Sequence, residues 1–257
     1  VKAQLLQLNP DFQIIDISHN IPPFHYPQAA YVCQSAIRNF PDFTYHLILV
    51  NLFEKKPEQL LLAFHKNQYL LCADNGLLTM ILEETPEIVI GIPLEKTAIK
   101  NTTYLSAIMG KVVNQLVNGE SILSIGVSDT KYLEKRHLRP VLDNNSIEGQ
   151  IIFIDSFENV IVNITREQFE KQRKGRSFRI VFTRNETIDR ISESYADVPE
   201  GEKLALFNSA GYLEIAINKG NAAGLFGLQG YSDKQQSAQS QFLQSRLFYQ
   251  TVKIFFD

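Results

Sequence analysis

Apolar positions in the first half of the chain alternate between helical and strand-like spacing. Val1, Leu5 and Leu8 recur at helical intervals, and the proline in Asn9-Pro10-Asp11 ends that helix. Pro27 starts a second predicted helix that ends before Pro41. Strands are predicted at residues 13–17, 46–51, 59–64 and 68–73, and a further helix at 104–117. The near-continuous apolar run at 46–51 is typical of a strand covered on both faces, so residues 1–117 are predicted to form an α/β domain with a mostly parallel sheet.

The pattern changes in the second half of the chain. Residues 118–149 are rich in Gly, Ser, Asp, Asn and Lys, and Arg139-Pro140 interrupts them, so they are predicted to be a linker region. Short strand-like segments follow at 150–155, 160–164, 177–182, 203–207, 212–217 and 248–256. Closely spaced short strands with turn signals predict an all-β, barrel-like domain over residues 150–257.

Composition restricts the possible functions. The chain has 257 residues, 44% of them hydrophobic, and a net charge of -3, which is typical of a folded globular protein. It lacks the Lys/Arg tract that dominates nucleic-acid affinity and the run of about 20 apolar residues that spans a bilayer, so neither nucleic acid nor membrane is expected as a partner. Cys33 and Cys72 lie in apolar contexts and are interpreted as core residues rather than a disulfide or metal site. A cytoplasmic location, no metal and no separate cofactor are expected.

Two polar segments carry candidate chemistry. Asp155-Ser156-Phe157-Glu158-Asn159 places an acid, an aromatic ring and an amide on one short connection between strands. The second segment is 208–216, followed by Gly220-Asn221-Ala222-Ala223. A purine needs a flat apolar face and an amide for its edge, and an amino-acid headgroup needs an acid and hydroxyl or N–H donors. Polar turns between strands contain the same residue types, so residue types alone leave both interpretations open.

Motifs along nearly the whole chain make the sequence similar to a known family. In order they are Asp16-Ile17-Ser18-His19-Asn20-Ile21-Pro22-Pro23-Phe24, Asp74-Asn75-Gly76-Leu77-Leu78-Thr79, Ile154-Asp155-Ser156-Phe157-Glu158-Asn159-Val160, Tyr195-Ala196-Asp197-Val198, and Asn208-Ser209-Ala210-Gly211-Tyr212-Leu213-Glu214-Ile215-Ala216 with Gly220-Asn221-Ala222-Ala223. The chain resembles the S-adenosyl-L-methionine hydroxide adenosyltransferases, which also include fluorinating and chlorinating enzymes.

The resemblance implies a fold, an assembly and a ligand. It implies an N-terminal α/β domain, a C-terminal β-barrel and a homotrimer, with S-adenosyl-L-methionine (SAM) or adenosine bound between one subunit's N-terminal domain and its neighbour's C-terminal domain. SAM is substrate or ligand here, and the family reaction releases adenosine and methionine by attack of water on C5′ of the ribose. The implied substrate-binding residues are Phe24, Asp155, Phe157, Asn159, Tyr195, Asn208, Ser209, Asn221 and Ala222.

The resemblance also implies a role for each residue. Phe157 and Tyr195 are expected to sandwich the adenine, and Asn159 to bind its edge. Asp155 is expected to face the methionine ammonium, and Ser209 with the following backbone the methionine carboxylate. Phe24 is expected to lie along the ribose.

The sequence departs from the family at the positions that bind and activate the attacking water. The family uses an Asp, an Arg and a His, but the aligned positions for the first two hold Asn51 and Glu58, and the His position falls within residues 103–106, which contain none. An amide cannot act as a carboxylate, and a Glu cannot supply an arginine's charge. Asn51 and Glu58 are therefore the only aligned catalytic candidates, and Glu54, Glu58 or His65 could take a new role.

Two hypotheses follow. The first is a divergent SAM- or adenosine-binding protein without the usual catalytic triad, acting as an altered enzyme or as a binding protein. The alternative is a non-catalytic structural or interaction module of the same fold. The family's first strand, with its Thr-Asp-Phe-Gly motif, is expected upstream of Val1.

Overall fold

A computed structural model describes residues 1–82, 84–136, 139–182, 186–228 and 250–257. The chain forms two compact units, Val1–His137 and Leu138–Asp257. The helices of the first unit are α1 (Lys2–Leu8), α2 (Tyr26–Asn39), α3 (Leu77–Leu82), α4 (Thr102–Val117) and α5 (Ile122–Ile125), and its strands are β1 (Tyr45–Ile48), β2 (Gln59–His65), β3 (Gln68–Ala73) and β4 (Ile88–Pro93).

The four strands of the first unit form one sheet in the order β1-β3-β2-β4. β1 and β3 are parallel, whereas β2 is antiparallel to both of its neighbours. Lys66 and Asn67 join β2 to β3 with φ of 47° and 59°, the left-handed geometry of a tight hairpin turn. The α/β class is thus confirmed, with one refinement: the sheet predicted as mostly parallel is mixed, because this hairpin reverses the chain.

Helices cover both faces of this sheet. Leu60 and Leu62 of β2 pack with α4 residues in one core cluster, while Leu61 and Ala63 pack with α2 and α3 residues in another. Neighbouring strand residues point to opposite faces, so the four consecutive apolar residues Leu60 to Ala63 are all buried. Burial on both faces, predicted for residues 46–51, is found in β2, whereas in β1 only Ile48 is buried and the other three residues are partly buried.

The strand predicted at residues 13–17 is not formed. In the described residues they form no strand, and the Ile15 side chain is 65% exposed. β-branched spacing favours extended backbone, but a strand also needs a neighbour to receive its backbone hydrogen bonds. The pattern alone does not supply that neighbour.

The second unit is an antiparallel, nearly closed sheet, which confirms the barrel-like prediction. The strands are β5 (Val141–Asp143), β6 (Ser146–Ile154), β7 (Val160–Thr165), β8 (Phe178–Phe182), β9 (Glu186–Ile188), β10 (Lys203–Phe207), β11 (Tyr212–Ile217) and β12 (Thr251–Phe256), and the helices are α6 (Arg166–Arg173) and α7 (Ala222–Leu225). Of the predicted last strand, residues 248 and 249 lie outside the described residues. The strand order is β10-β11-β7-β6-β12-β8-β9, with β5 paired to β6, and Ser192 N donates to Ala205 O (2.7 Å) between the two ends.

Phe169 of α6 fills the centre of this second core. It is fully buried, and its ring lies within 6 Å of the rings of Phe178, Phe207 and Phe256 (5.0, 5.4 and 5.9 Å between centroids). Thr165 caps α6 in a reciprocal pair with Gln168, which fixes the direction in which the helix leaves β7. These contacts pack α6 against the start of β8 and the ends of β10 and β12.

Candidate functional site

The connection between β6 and β7 is held by its own acid. Oδ1 of Asp155 accepts hydrogen bonds from Phe157 N (2.9 Å) and Asn159 N (2.8 Å), and Oδ2 accepts from Asn159 Nδ2 (3.1 Å). Glu158 adopts φ of 63°, which reverses the chain within the connection. As a result Asn159 is buried while Phe157 is 76% exposed, on a backbone whose Phe157 and Asn159 N–H groups are bound by the Asp155 carboxylate.

Tyr195 links this connection to β11. Its hydroxyl donates to Glu214 Oε1 (2.5 Å) and receives a long hydrogen bond from Asn159 Nδ2 (3.5 Å). Asp155, Asn159, Tyr195 and Glu214 therefore form one continuous chain of polar contacts. Burial raises the pKa of Glu214, and hydrogen bonds from Tyr195 and Asn208 offset this only in part.

The turn between β10 and β11 lies beside this chain of contacts. Asn208 Oδ1 accepts from Ala210 N (3.1 Å) and Tyr212 N (3.2 Å), which leaves Ser209 exposed at the tip of the turn. Its backbone position is fixed by neighbours that do not involve its hydroxyl. Ser209 is thus presented to solvent on a rigid turn.

The segment that starts α7 joins the same region. Asn221 caps the helix, with Oδ1 accepting from Gly224 N (2.6 Å), and Ala223 N donates to Glu158 O (2.9 Å). Ala222 is fully buried in the core of the unit, so any contact with a ligand there would involve its backbone. The structure thus brings the two polar segments of the sequence together on the second unit.

Glu214 was not among the residues singled out from the sequence. It occupies an otherwise apolar strand, Tyr-Leu-Glu-Ile-Ala-Ile, and pairs with Leu206 on β10 and Ile161 on β7. A single acid inside such a strand is the signal that could have identified it, because a buried carboxyl needs partners.

The first unit carries a second group of candidate residues at the carboxyl ends of its parallel strands. Asn51 follows β1 with φ of 49°, and its Oδ1 accepts from Phe24 N (3.0 Å). Phe24 is itself in the left-handed region, with φ of 62°, and its side chain is 69% exposed. Asn51 therefore holds Phe24 in an unusual backbone conformation with the ring exposed.

Asn75 follows β3 at the same edge and ties it to β1. Its Nδ2 donates to Val50 O (3.0 Å) and Asn51 O (3.1 Å), while its Oδ1 accepts from Leu77 N at the start of α3 (3.1 Å). One buried amide thus fixes the segment that bears Asn51. In open α/β sheets this edge is where ligands bind.

Glu54 lies in the loop after Asn51 and contacts two further side chains. Tyr26 donates its hydroxyl to Glu54 Oε2, and Lys135 Nζ lies 3.1 Å from both carboxylate oxygens. Lys135 Nζ also lies 3.6 Å from the centroid of the Tyr26 ring. We call these three residues the Tyr26–Glu54–Lys135 cluster; Tyr26 and Lys135 were not singled out from the sequence.

The other candidate residues of the first unit are Glu58 and His65. Glu58 precedes β2 with an exposed side chain, and its carbonyl accepts from Leu94 N (2.9 Å). His65 is at the far end of β2, where it pairs with Gln68 in the sheet and contacts Glu84 (3.2 Å) and Glu87 (3.1 Å). It is therefore at the edge opposite Asn51.

The cysteines are part of the cores of the first unit. Cys72 is buried and Cys33 partly buried, and burial raises the pKa of Cys33 to about 12, so neither is a reactive thiolate at neutral pH. Among the described residues, no group of three or more His, Cys, Asp or Glu side chains could hold a metal ion. Within those same residues, no helix has the length and apolar character to cross a membrane.

An α/β unit followed by a nearly closed antiparallel unit, each with polar residues gathered at strand ends, defines a two-domain class of protein. Residues 1–126 match the SAM hydroxide adenosyltransferase N-terminal domain, and residues 149–234 match its C-terminal domain. The chain belongs to the SAM hydroxide adenosyltransferase family.

Relatives of known name support this assignment. The chain is 26% identical to the (R)-S-adenosyl-L-methionine hydrolase of Methanocaldococcus jannaschii over 227 residues, covering 86% of this chain and 81% of the relative. It is also 26% identical to the protein of the same name from Thermus thermophilus over 243 residues, covering 89% of each.

Solved structures share the fold. The crystal structure of an uncharacterized conserved protein from Thermotoga maritima superposes with a TM-score of 0.80 at 26% identity, covering 99% of this chain and 93% of that one. A conserved hypothetical protein from Thermus thermophilus superposes with a TM-score of 0.69 at 20% identity, covering 100% and 92%, and this match concerns the fold alone.

Proposed function

We propose that the chain binds SAM or adenosine through the polar and aromatic residues of its second unit. Phe157 and Tyr195 provide aromatic faces for the adenine, and Asn159 provides an amide for its edge. Asp155 and Ser209 are proposed to face the ammonium and carboxylate of methionine. Asn208, Asn221 and Ala222 complete the surface, Asn208 and Asn221 by fixing the backbone around it.

The exposed ring of Phe157 is the observation that carries this proposal. A phenylalanine ring left in water loses the free energy that burial would contribute, about 1.5–3 kcal/mol. Here the backbone beneath the ring is fixed because Phe157 N and Asn159 N donate to Asp155, so the exposure is built into the fold. A site for a flat ligand accounts for a rigid, exposed ring.

The alternative is a structural or interaction module of the same fold. In that case Phe157 and Tyr195 are expected to be buried against their own domain. The Phe157 ring is instead exposed, which favours the ligand-binding proposal.

Calorimetric titration of the full chain with SAM and with adenosine tests the proposal. We expect binding by the wild-type protein and, because base–aromatic stacking contributes about 1–3 kcal/mol, a loss of about 5- to 150-fold in affinity for Phe157→Ala. Phe255→Ala is the matched control, since Phe255 is another exposed Phe of this unit and pairs with Ser146 at the opposite end of β6. Absence of binding by the wild-type protein would favour the module instead.

Two further parts of the proposal have direct tests. The proposed assembly is a homotrimer, as the family resemblance implies, and sedimentation equilibrium measures its mass. The proposed reaction is hydrolysis of SAM to adenosine and methionine, and chromatography after incubation with SAM detects both products. A monomeric mass would contradict the first, and unchanged SAM the second.

A further inference from the structure

The segment 131–135 is anchored at three points on the carboxyl edge of the first unit. Lys131 O accepts from Gln59 Nε2 (2.9 Å), and Leu133 N donates to Asp74 Oδ1 (2.7 Å). At the end of the segment, Lys135 N donates to Thr79 Oγ1 and Thr79 Oγ1 donates to Lys135 O (2.9 Å each). The backbone of Lys135 is therefore fixed, although it lies in a polar stretch without helix or strand.

This anchoring directs the Lys135 side chain across Gly76 to Glu54. A Cβ atom on Gly76 would lie 2.5 Å from Lys135 Cγ, so only glycine leaves room for the stem. The ammonium then reaches both oxygens of Glu54 and the face of the Tyr26 ring. An exposed ion pair alone contributes little, but here a phenol and a fixed backbone define the geometry of the carboxylate.

The protonation states of Glu54 and Tyr26 are set by these contacts. Burial by itself raises the pKa of Glu54, but hydrogen bonds from Tyr26 and Lys135 and the charges of Lys135 and Lys55 outweigh it, and its pKa is lowered. Burial, then the contact with Glu54, raises the pKa of Tyr26, although the Asn51 amide opposes this. At neutral pH the cluster therefore consists of a carboxylate held between a neutral phenol and an ammonium.

We propose that Glu54, positioned by Tyr26 and Lys135, accepts the proton of the water that attacks C5′ of SAM in this chain. This inference rests on the proposed function. An oxygen lone pair of water forms the C5′–O bond, and the C5′–S bond breaks with its electron pair passing to the methionine sulfur. One proton of the attacking water moves to a Glu54 oxygen and then to solvent, giving adenosine and neutral methionine sulfur.

The chemistry suits a carboxylate that is a weak base. Water becomes strongly acidic as it bonds to carbon, so the acceptor needs correct position more than high basicity. Methionine leaves a sulfonium as a neutral group and requires no proton. Asn51 lies beside the Tyr26 hydroxyl at this same edge and also binds Phe24 N, so the cluster is continuous with the other candidate residues of this unit.

The test combines adenosine release with SAM binding in the full-length protein. Because a general base typically contributes about 10²–10⁴-fold, we expect Glu54→Gln to lose at least about 100-fold in the rate of adenosine release while its calorimetric affinity for SAM is retained. Tyr26→Phe and Lys135→Met each remove one contact with the carboxylate and are expected to lose about 10-fold. Glu120→Gln, an exposed carboxylate of this unit that accepts from Gln115, is the matched control.

A pH profile separates catalysis from a structural role. Release by the wild-type protein should fall at acidic pH as Glu54 is protonated, and the residual rate of Glu54→Gln should lack that dependence. Wild-type rates in Glu54→Gln, or SAM binding without adenosine release by the wild-type protein, would overturn this inference and leave the binding proposal intact. Failure of the wild-type protein to bind SAM would refute the proposed function and, with it, the inference.

Discussion

The Tyr195 hydroxyl and Glu214 Oε1 are joined by a 2.5 Å hydrogen bond, although Tyr195 is 43% exposed and Glu214 only 4%. Glu214 lies on β11, flanked by β7 and β10, whereas Tyr195 belongs to a short 3-10 turn after β9. The buried acid thus fixes the hydroxyl end of the ring proposed to contact adenine. The arrangement makes the stability of the second unit depend on pH.

The Glu214→Gln variant should become increasingly more stable than the wild type as pH rises. Because the pKa of Glu214 is raised in the folded protein, the wild type loses stability as pH increases from about 4.5 through that raised value. Gln accepts the same hydrogen bond from Tyr195 without ionising. We expect Glu214→Gln to match the wild type at pH 4.5 and exceed it at pH 8 in urea unfolding, while Glu214→Ala loses about 1–3 kcal/mol.

Glu202→Gln, at an exposed position of the same unit, is the control for Glu214. It should leave the pH profile of unfolding unchanged. Parallel profiles for the wild type and Glu214→Gln would contradict a raised pKa.

Asn75 should not tolerate an acid. Its Nδ2 donates to two carbonyl oxygens in a site that is 2% exposed, and an aspartate there would place acceptors against acceptors. Asn75→Ala should lose about 1–3 kcal/mol, and Asn75→Asp more than that at pH 7, with the deficit growing from pH 4 to 7 as the carboxyl ionises. Thermal unfolding measures both, and Asn20→Asp, at an exposed position, should unfold like the wild type.

His25 should destabilise the first unit on acidification. Burial lowers the pKa of His25 to about 4, so between pH 6.5 and 4 the unfolded chain binds a proton that the folded chain does not. The contribution of neutral His25 to the free energy of unfolding is fully present above pH 6.5, and it falls by up to about 3 kcal/mol as pH approaches 4. His25→Gln should flatten this part of the profile in urea unfolding, whereas His19→Gln, in an exposed turn, should not.

The sequence allowed some of these features to be predicted. The connection 155–159 was predicted between two strands because polar residues interrupt two apolar runs, and the structure has it between β6 and β7. The strands predicted at 59–64 and 68–73 are likewise present, and the structure joins them at Lys66 and Asn67. In both cases the signal is local, within about ten residues.

Other features depend on distant partners. Lys135 reaches Glu54 across 81 positions of sequence, through backbone bonds to Asp74 and Thr79 that composition does not encode. The polar character of residues 118–149 predicts a linker. In the sequence, residues whose backbone groups form hydrogen bonds in the fold cannot be distinguished from residues whose backbone groups bond to solvent. The buried position of Glu214 likewise follows from strands that flank it only after folding.

Gly76 offers a direct test of how Lys135 is held. Gly76 and Gly119 have nearly the same φ, 85° and 88°. A Cβ atom would contact the Lys135 side chain at Gly76, whereas at Gly119 it would meet no atom within 4 Å. Both substitutions to Ala carry the strain of left-handed backbone, about 1–2 kcal/mol. Gly76→Ala should cost more, because the Lys135 stem must move and its ammonium leaves Glu54.

A double-mutant cycle isolates that additional cost. In a Lys135→Ala background the stem is absent, so Gly76→Ala should cost only what Gly119→Ala costs, and the coupling free energy between positions 76 and 135 should be clearly different from zero. Urea unfolding of the four proteins measures it. Equal costs of Gly76→Ala with and without the lysine would show that the stem does not occupy the space over Gly76, and the fixed geometry of the Tyr26–Glu54–Lys135 cluster would lose its support.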